Sequence, residues 1–112
     1  MPKEDVLAAF ELDIQKGNPR TGDSTIEDIK KTAKTLIIKD RAGVIEALRY
    51  WLRLRHRGLT PTALSVIIAV KIPELKPDLE CLKADIESGK ALHPSYLDLV
   101  GLALKAISEK QL

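Results

Sequence analysis

A chain of 112 residues with 45% hydrophobic and 30% charged side chains has the composition of one ordinary globular domain, large enough to bury a core without staples. Its formal charge of +2 is close to balance, which gives no general attraction to nucleic acid, and a single cysteine, Cys81, excludes an internal disulfide and suits a reducing compartment. No apolar run reaches the ~20 residues of a membrane span. The start "MPKEDVLAAF" lacks a signal peptide's cationic opening, so a cytoplasmic protein is expected.

Between Glu4 and Lys16 the apolar residues Val6, Leu7, Phe10 and Ile14 recur at helical spacing. Gly17, Pro19 and Gly22 break that pattern. Ser24 followed by Glu27 reads as a capping box, two side chains satisfying orphan amides reciprocally, and opens a helix through about Ile38. Asp40 is the candidate N-cap of a helix running to about Arg57, and Gly58 stands where a left-handed residue would close it. Thr60-Pro61 starts the next helix, because proline in a first turn forfeits no hydrogen bond. The run "ALSVIIAVKI" at 63–72 would suit a buried strand by composition, but its proline start and its length favour a helix. Pro73 and Pro77 bracket a turn. From Pro77 to Ser88, Leu79, Leu82 and Ile86 share one face, and Gly89 ends that helix. His93-Pro94 opens the last one, with the stripe Leu97, Val100, Leu104 and Ile107 and a second apolar set, Leu99, Leu102, Ala103 and Ala106.

The chain also repeats itself. "RGLTPTALSVI" (57–67) lies over "KALHPSYLDLV" (90–100) without a gap at a period of 33. Leu59 matches Leu92, Pro61 matches Pro94, Leu64 matches Leu97 and Ile67 matches Val100. The preceding helices correspond at a shift of 34, Ile45 with Leu79, Leu48 with Leu82 and Leu52 with Ile86. Paired helices at such a period resemble the HEAT/armadillo class of α-solenoid repeats over roughly residues 40–110. The resemblance implies a scaffold that works by binding other proteins; it names no ligand and carries over no functional residue. The expected fold is all-α: about six helices in a single domain, 1–112, stacked as two or three antiparallel hairpins. These are a degenerate first one at 1–38, a second at 40–72 and a third at 77–110.

"RYWLRLRHRGLTP" (49–61) concentrates the polar chemistry. Val44, Ile45, Leu48, Trp51 and Leu52 form one apolar face of its helix, with Trp51 at the centre, where burial is expected. Ala47, Tyr50 and Leu54 widen that face. Arg49, Arg53 and Arg57 stand at i, i+4 and i+8 on the remaining side. The segment 41–57 holds five arginines and one acid, a formal +4. Such a stripe is either a solvated helix face complementing the C-terminal dipole or a docking stripe for an acidic partner or a phosphate backbone. Arg49, Arg53 and Arg57, with Tyr50 and Tyr96, are the candidate contact residues. Arg55 falls in line with the apolar stripe, and is expected to lay its stem on the core, or else to pair with Asp98 or Glu87.

A rival resemblance comes from "LRHRGLTPTALSVIIAV…ESGKALHPSYLDLVGLAL", which is similar to the helix-turn-helix of the phage-repressor type and would imply a DNA-binding transcriptional regulator. Three departures weigh against it. Some eight residues more than that family has separate Leu59 from Glu87. Pro77 falls where the recognition helix should continue. Residues 73–88 carry five acids and two lysines, a formal −3, which a helix meeting phosphates should not. Nucleic acid is therefore not the expected partner.

Catalytic signals are missing. His56 and His93 have no ligand at metal spacing; His56 is expected at a helix C-terminus and His93 as a helix cap. Cys81 lies beside apolar positions, where a buried inert thiol is expected. Singly placed glycines make no phosphate loop. Neither an enzyme nor a cofactor or metal site is expected, and the expected role is that of a non-catalytic protein-interaction module. The wide apolar surface of the last helix adds a possible homodimer through it.

Overall fold

The computed structural model describes residues 3–16, 22–56, 58–90 and 92–108. Six α-helices follow one another: α1 (Lys3–Lys16), α2 (Gly22–Lys39), α3 (Arg41–Arg53), α4 (Leu59–Val70), α5 (Lys76–Glu87) and α6 (Leu97–Ser108). Short 3₁₀ turns, Pro73–Leu75 and Pro94–Tyr96, precede α5 and α6. There is no strand among the described residues, so the protein is all-α. It divides into two compact units, Met1–Ala47 and Leu48–Leu112.

In the first unit α1 packs on α2. Val6, Phe10, Ile29 and Ala33 are fully buried there, and the Thr32 hydroxyl donates to the Asp13 carboxylate at 2.6 Å. Ile14, expected on the apolar stripe of α1, is instead exposed. α2 starts at Gly22, so Ser24 lies inside the helix and the expected capping box does not begin it. Glu27 pairs forward with Lys30 at 3.1 Å, a one-turn ion pair of small energy. Asp40 does cap α3, accepting the Gly43 N–H at 3.2 Å.

In the second unit α6 packs against both α4 and α5. The ambiguous apolar run is helical: α4 buries Ala63, Leu64, Val66 and Ile67. α4 closes at Lys71, which adopts a left-handed backbone (φ 58°) and donates its N–H to the Ile67 carbonyl at 2.7 Å. Pro77 sits in the first turn of α5, where its missing N–H costs nothing, and Leu79, Leu82 and Ile86 are buried as one face. Two hydrogen bonds end α5. Gly89 N–H reaches Ile86 O at 3.1 Å, and Lys90 N–H reaches Asp85 O at 2.9 Å. With Gly89 at φ 79° this is a Schellman motif, which satisfies carbonyls that the helix end leaves open. His93 caps the turn before α6, its Nδ1 accepting the Ser95 N–H at 3.1 Å.

The two proline starts that align in the sequence are built differently. Pro61 is the third residue of α4, whereas Pro94 begins a 3₁₀ turn and α6 follows only at Leu97. Leu64 is accordingly fully buried, while its counterpart Leu97 is only half-buried.

Two glycine substitutions test this backbone reading. A Cβ at Gly89 or at Gly101 meets nothing within 4 Å, so any effect is conformational. Gly89→Ala should lose about 1–2 kcal/mol because of its left-handed φ. Gly101→Ala, inside α6, should gain up to about 1 kcal/mol from helix propensity. Denaturant unfolding of the two variants measures both.

Candidate functional site

The arginine cluster lies where α3 ends, and that end comes earlier than its sequence implies. Leu54 N–H still reaches Tyr50 O at 3.1 Å, but Arg55 N–H reaches Leu52 O at 3.3 Å. The chain leaves the helix there with Arg55 at φ 52°. Arg55, rather than Gly58, takes the left-handed position; Gly58 is right-handed, at φ −96°. A left-handed non-glycine residue is disfavoured and needs compensating bonds. Arg55 makes three: Nη1 donates to the Leu52 carbonyl at 2.7 Å, while Nε and Nη2 donate to Asp85 Oδ2 at 3.2 and 2.8 Å. The guanidinium thus gives the Leu52 carbonyl, which already accepts the Arg55 N–H, a second and shorter bond and ties it to α5. The carboxylate partner is Asp85, not Asp98 or Glu87.

Thr60 locks the same turn. It is the one fully buried polar residue among those described, and both capacities of its hydroxyl are used. Oγ1 donates to the Trp51 carbonyl at 2.8 Å and accepts the His56 N–H at 3.0 Å. His56 then caps the following helix. Its Nδ1 accepts the Gly58 and Leu59 N–H groups at 3.0 and 3.1 Å, which places it at the N-terminus of α4 instead of serving the dipole of α3. Trp51 is 2% exposed, as the apolar stripe requires.

The sequence-derived contact residues separate. Arg49 Nε donates to Asp78 Oδ2 at 3.0 Å, with both side chains largely covered, and Arg53 Nη2 lies 3.9 Å from Asp78 Oδ1 with its side chain 70% exposed. Arg49 and Arg53 therefore meet over one carboxylate of α5. Tyr50 is 42% exposed. Tyr96 is half-buried in the turn before α6. Arg57 lies outside the described residues. Reasoning from the sequence missed Leu54, 43% exposed beside Tyr50, together with Asp78, Asp85 and Thr60. The pairing had a signal: residues 41–57 carry a formal +4 and residues 73–88 a formal −3, so the acidic helix is the first partner of the basic one.

Cys81 is exposed on α5, which corrects the expectation of a buried thiol. Among the described residues no group of three or more His, Cys, Asp or Glu side chains could hold a metal ion. No helix among them is long and apolar enough to cross a membrane.

The Arg55 knot makes a graded prediction. Asp85→Asn should lose about 1 kcal/mol or less, since the pair is partly solvated. Arg55→Ala should lose more, because it also removes the guanidinium bond to the Leu52 carbonyl while keeping a non-glycine residue in a left-handed backbone. Arg55→Gly should lose less than Arg55→Ala, by up to about 1–2 kcal/mol, by relieving that backbone. Equal losses for Ala and Gly, measured by denaturant unfolding, would contradict a left-handed Arg55. Comparison with protein-family models, curated proteins and solved structures finds no match for this chain.

Proposed function

We propose that the chain is a non-catalytic protein-interaction module whose contact surface is the end of α3. The observation that carries this reading is the exposure of Tyr50, Arg53 and Leu54 within one helical turn. Tyr50 and Leu54 are exposed there beside the mainly solvent-facing side chain of Arg53. Tyrosine and arginine are the residues in which interface hot spots are enriched. Tyrosine gives rigid apolar area with a polar tip, and Arg53 selects for an acidic group. Arg49 has another task, holding Asp78 at 3.0 Å and so anchoring this end of α3 to α5. The partner is a protein segment presenting a carboxylate beside apolar side chains, in keeping with the binding role implied by the helical-repeat resemblance.

A second reading has one observation in its favour. α4 and α5 are joined by the short stretch 71–75 and both pack on α6, the arrangement of a helix-turn-helix. Charge favours it less. With Asp78 and Asp85 engaged by arginines, the exposed charges of α5 are Lys76, Glu80, Lys83 and Glu87, two of each sign. A helix entering a groove draws most of its affinity from neutralising phosphates, and this one has no surplus of positive charge.

The test compares wild type with a Tyr50→Ala, Arg53→Glu, Leu54→Ala variant. Helicity and melting should barely change, since exposed substitutions stay within about 0.5 kcal/mol each. Proteins captured by the wild type should be lost by the variant, and capture should weaken with salt because exposed charges are screened beyond ~8–10 Å. Undiminished capture would sink the assignment. Sub-micromolar binding of duplex DNA in a gel shift at roughly physiological salt would put the helix-turn-helix reading first.

A further inference from the structure

We propose that two copies of this chain associate through antiparallel α6 helices, on a face distinct from the end of α3. Along α6, Asp98, Gly101, Leu102 and Lys105 are all exposed and fall at i, i+3, i+4 and i+7, so they form one stripe. Leu102 is 56% exposed at its centre, while Val100, Ala103, Ala106 and Ile107 of the same helix are turned into the core. The remaining stripe is charged at both ends with opposite signs. Asp98 lies in the first turn and Lys105 in the last, and neither forms an ion pair with another described residue.

The occupant follows from that pattern. The midpoint between positions 98 and 105 falls between Gly101 and Leu102. A two-fold axis there sets Asp98 of each copy opposite Lys105 of the other, and brings the two Leu102 side chains together at the centre. The face is thus complementary to itself, which is the requirement of a two-fold interface, and the two helix dipoles then oppose each other favourably. Gly101 fits the same arrangement. Glycine is the poorest residue short of proline for a helix interior, and no neighbour within the chain needs the space, since a Cβ would meet nothing within 4 Å. Opposite another helix, its bare backbone allows close approach. One pair of 12-residue helices, each about 18 Å long, makes a contact below the ~1,200 Å² of stable complexes, so the dimer is weak and rapidly reversible.

Sedimentation equilibrium of the full chain up to millimolar concentration tests this. Wild type should show a monomer–dimer equilibrium that weakens with added salt. Asp98→Lys alone, or Lys105→Asp alone, should weaken it by about tenfold, because each replaces two attractive pairs with two repulsive ones. The double exchange, Asp98→Lys with Lys105→Asp, should restore dimerisation to within about threefold of wild type, because the opposed charges are again complementary. Gly101→Gln should raise the melting temperature of the monomer and yet weaken the dimer. A wild type that stays monomeric throughout, or a double exchange no better than the single ones, would overturn the proposal. Far-UV circular dichroism confirms that each variant is folded.

Discussion

The hydroxyl of Thr60, buried between the carbonyl of Trp51 and the amide of His56, is the contact on which the polar end of this protein depends. A buried hydroxyl without partners would cost a few kcal/mol; here donor and acceptor are both used, and both bonds reach back across the turn. They fix how the chain leaves α3 and enters α4. Arg55 and His56 complete the junction. One covers the carbonyl end of α3 with its guanidinium and the other caps the amide end of α4 with Nδ1. The turn needs no glycine at its left-handed residue because Arg55 is held from two sides, by Leu52 O and by Asp85.

That junction sorts the arginines by use. Arg49 and Arg55 are largely covered and bound to carboxylates of α5, so their charge is spent within the fold. Partly solvated pairs of this kind contribute modestly to stability, and their main effect is to hold α5 against the end of α3. Arg53 is different, since its side chain is 70% exposed and its Nη2 lies 3.9 Å from Asp78 Oδ1. The division gives the proposed contact surface its composition. Among the described residues, Tyr50, Arg53 and Leu54 are exposed there.

Much of the architecture was legible because it rests on periodicity. The stripes Leu79, Leu82, Ile86 and Leu48, Trp51, Leu52 are buried as spaced, Asp40 and His93 cap where their residue types belong, and Gly89 is left-handed at the end of α5. The losses came at helix ends, where two local choices of similar energy compete. Gly58 was the ordinary candidate for a left-handed residue, but Arg55 takes it through bonds to a carboxylate thirty residues away, which no local pattern records. Likewise Ser24 and Glu27 fit a capping box, yet α2 begins two residues earlier. Among the candidate contacts, Tyr50 and Arg53 were visible as types at a helical spacing. Leu54 was read as part of the apolar face, because early termination of α3 is what leaves it exposed. The binding of Arg49 to Asp78 was written only as opposite charge on two segments.

Amide hydrogen exchange across residues 51–60 tests this junction most directly. If Thr60 and His56 hold it as described, the His56, Gly58 and Leu59 amides exchange slowly in the wild type, although they lie outside the regular ladder of a helix. Thr60→Val should then release the His56 amide, while His56→Ala releases Gly58 and Leu59. Wild-type amides at these three positions exchanging at unstructured rates would contradict the account.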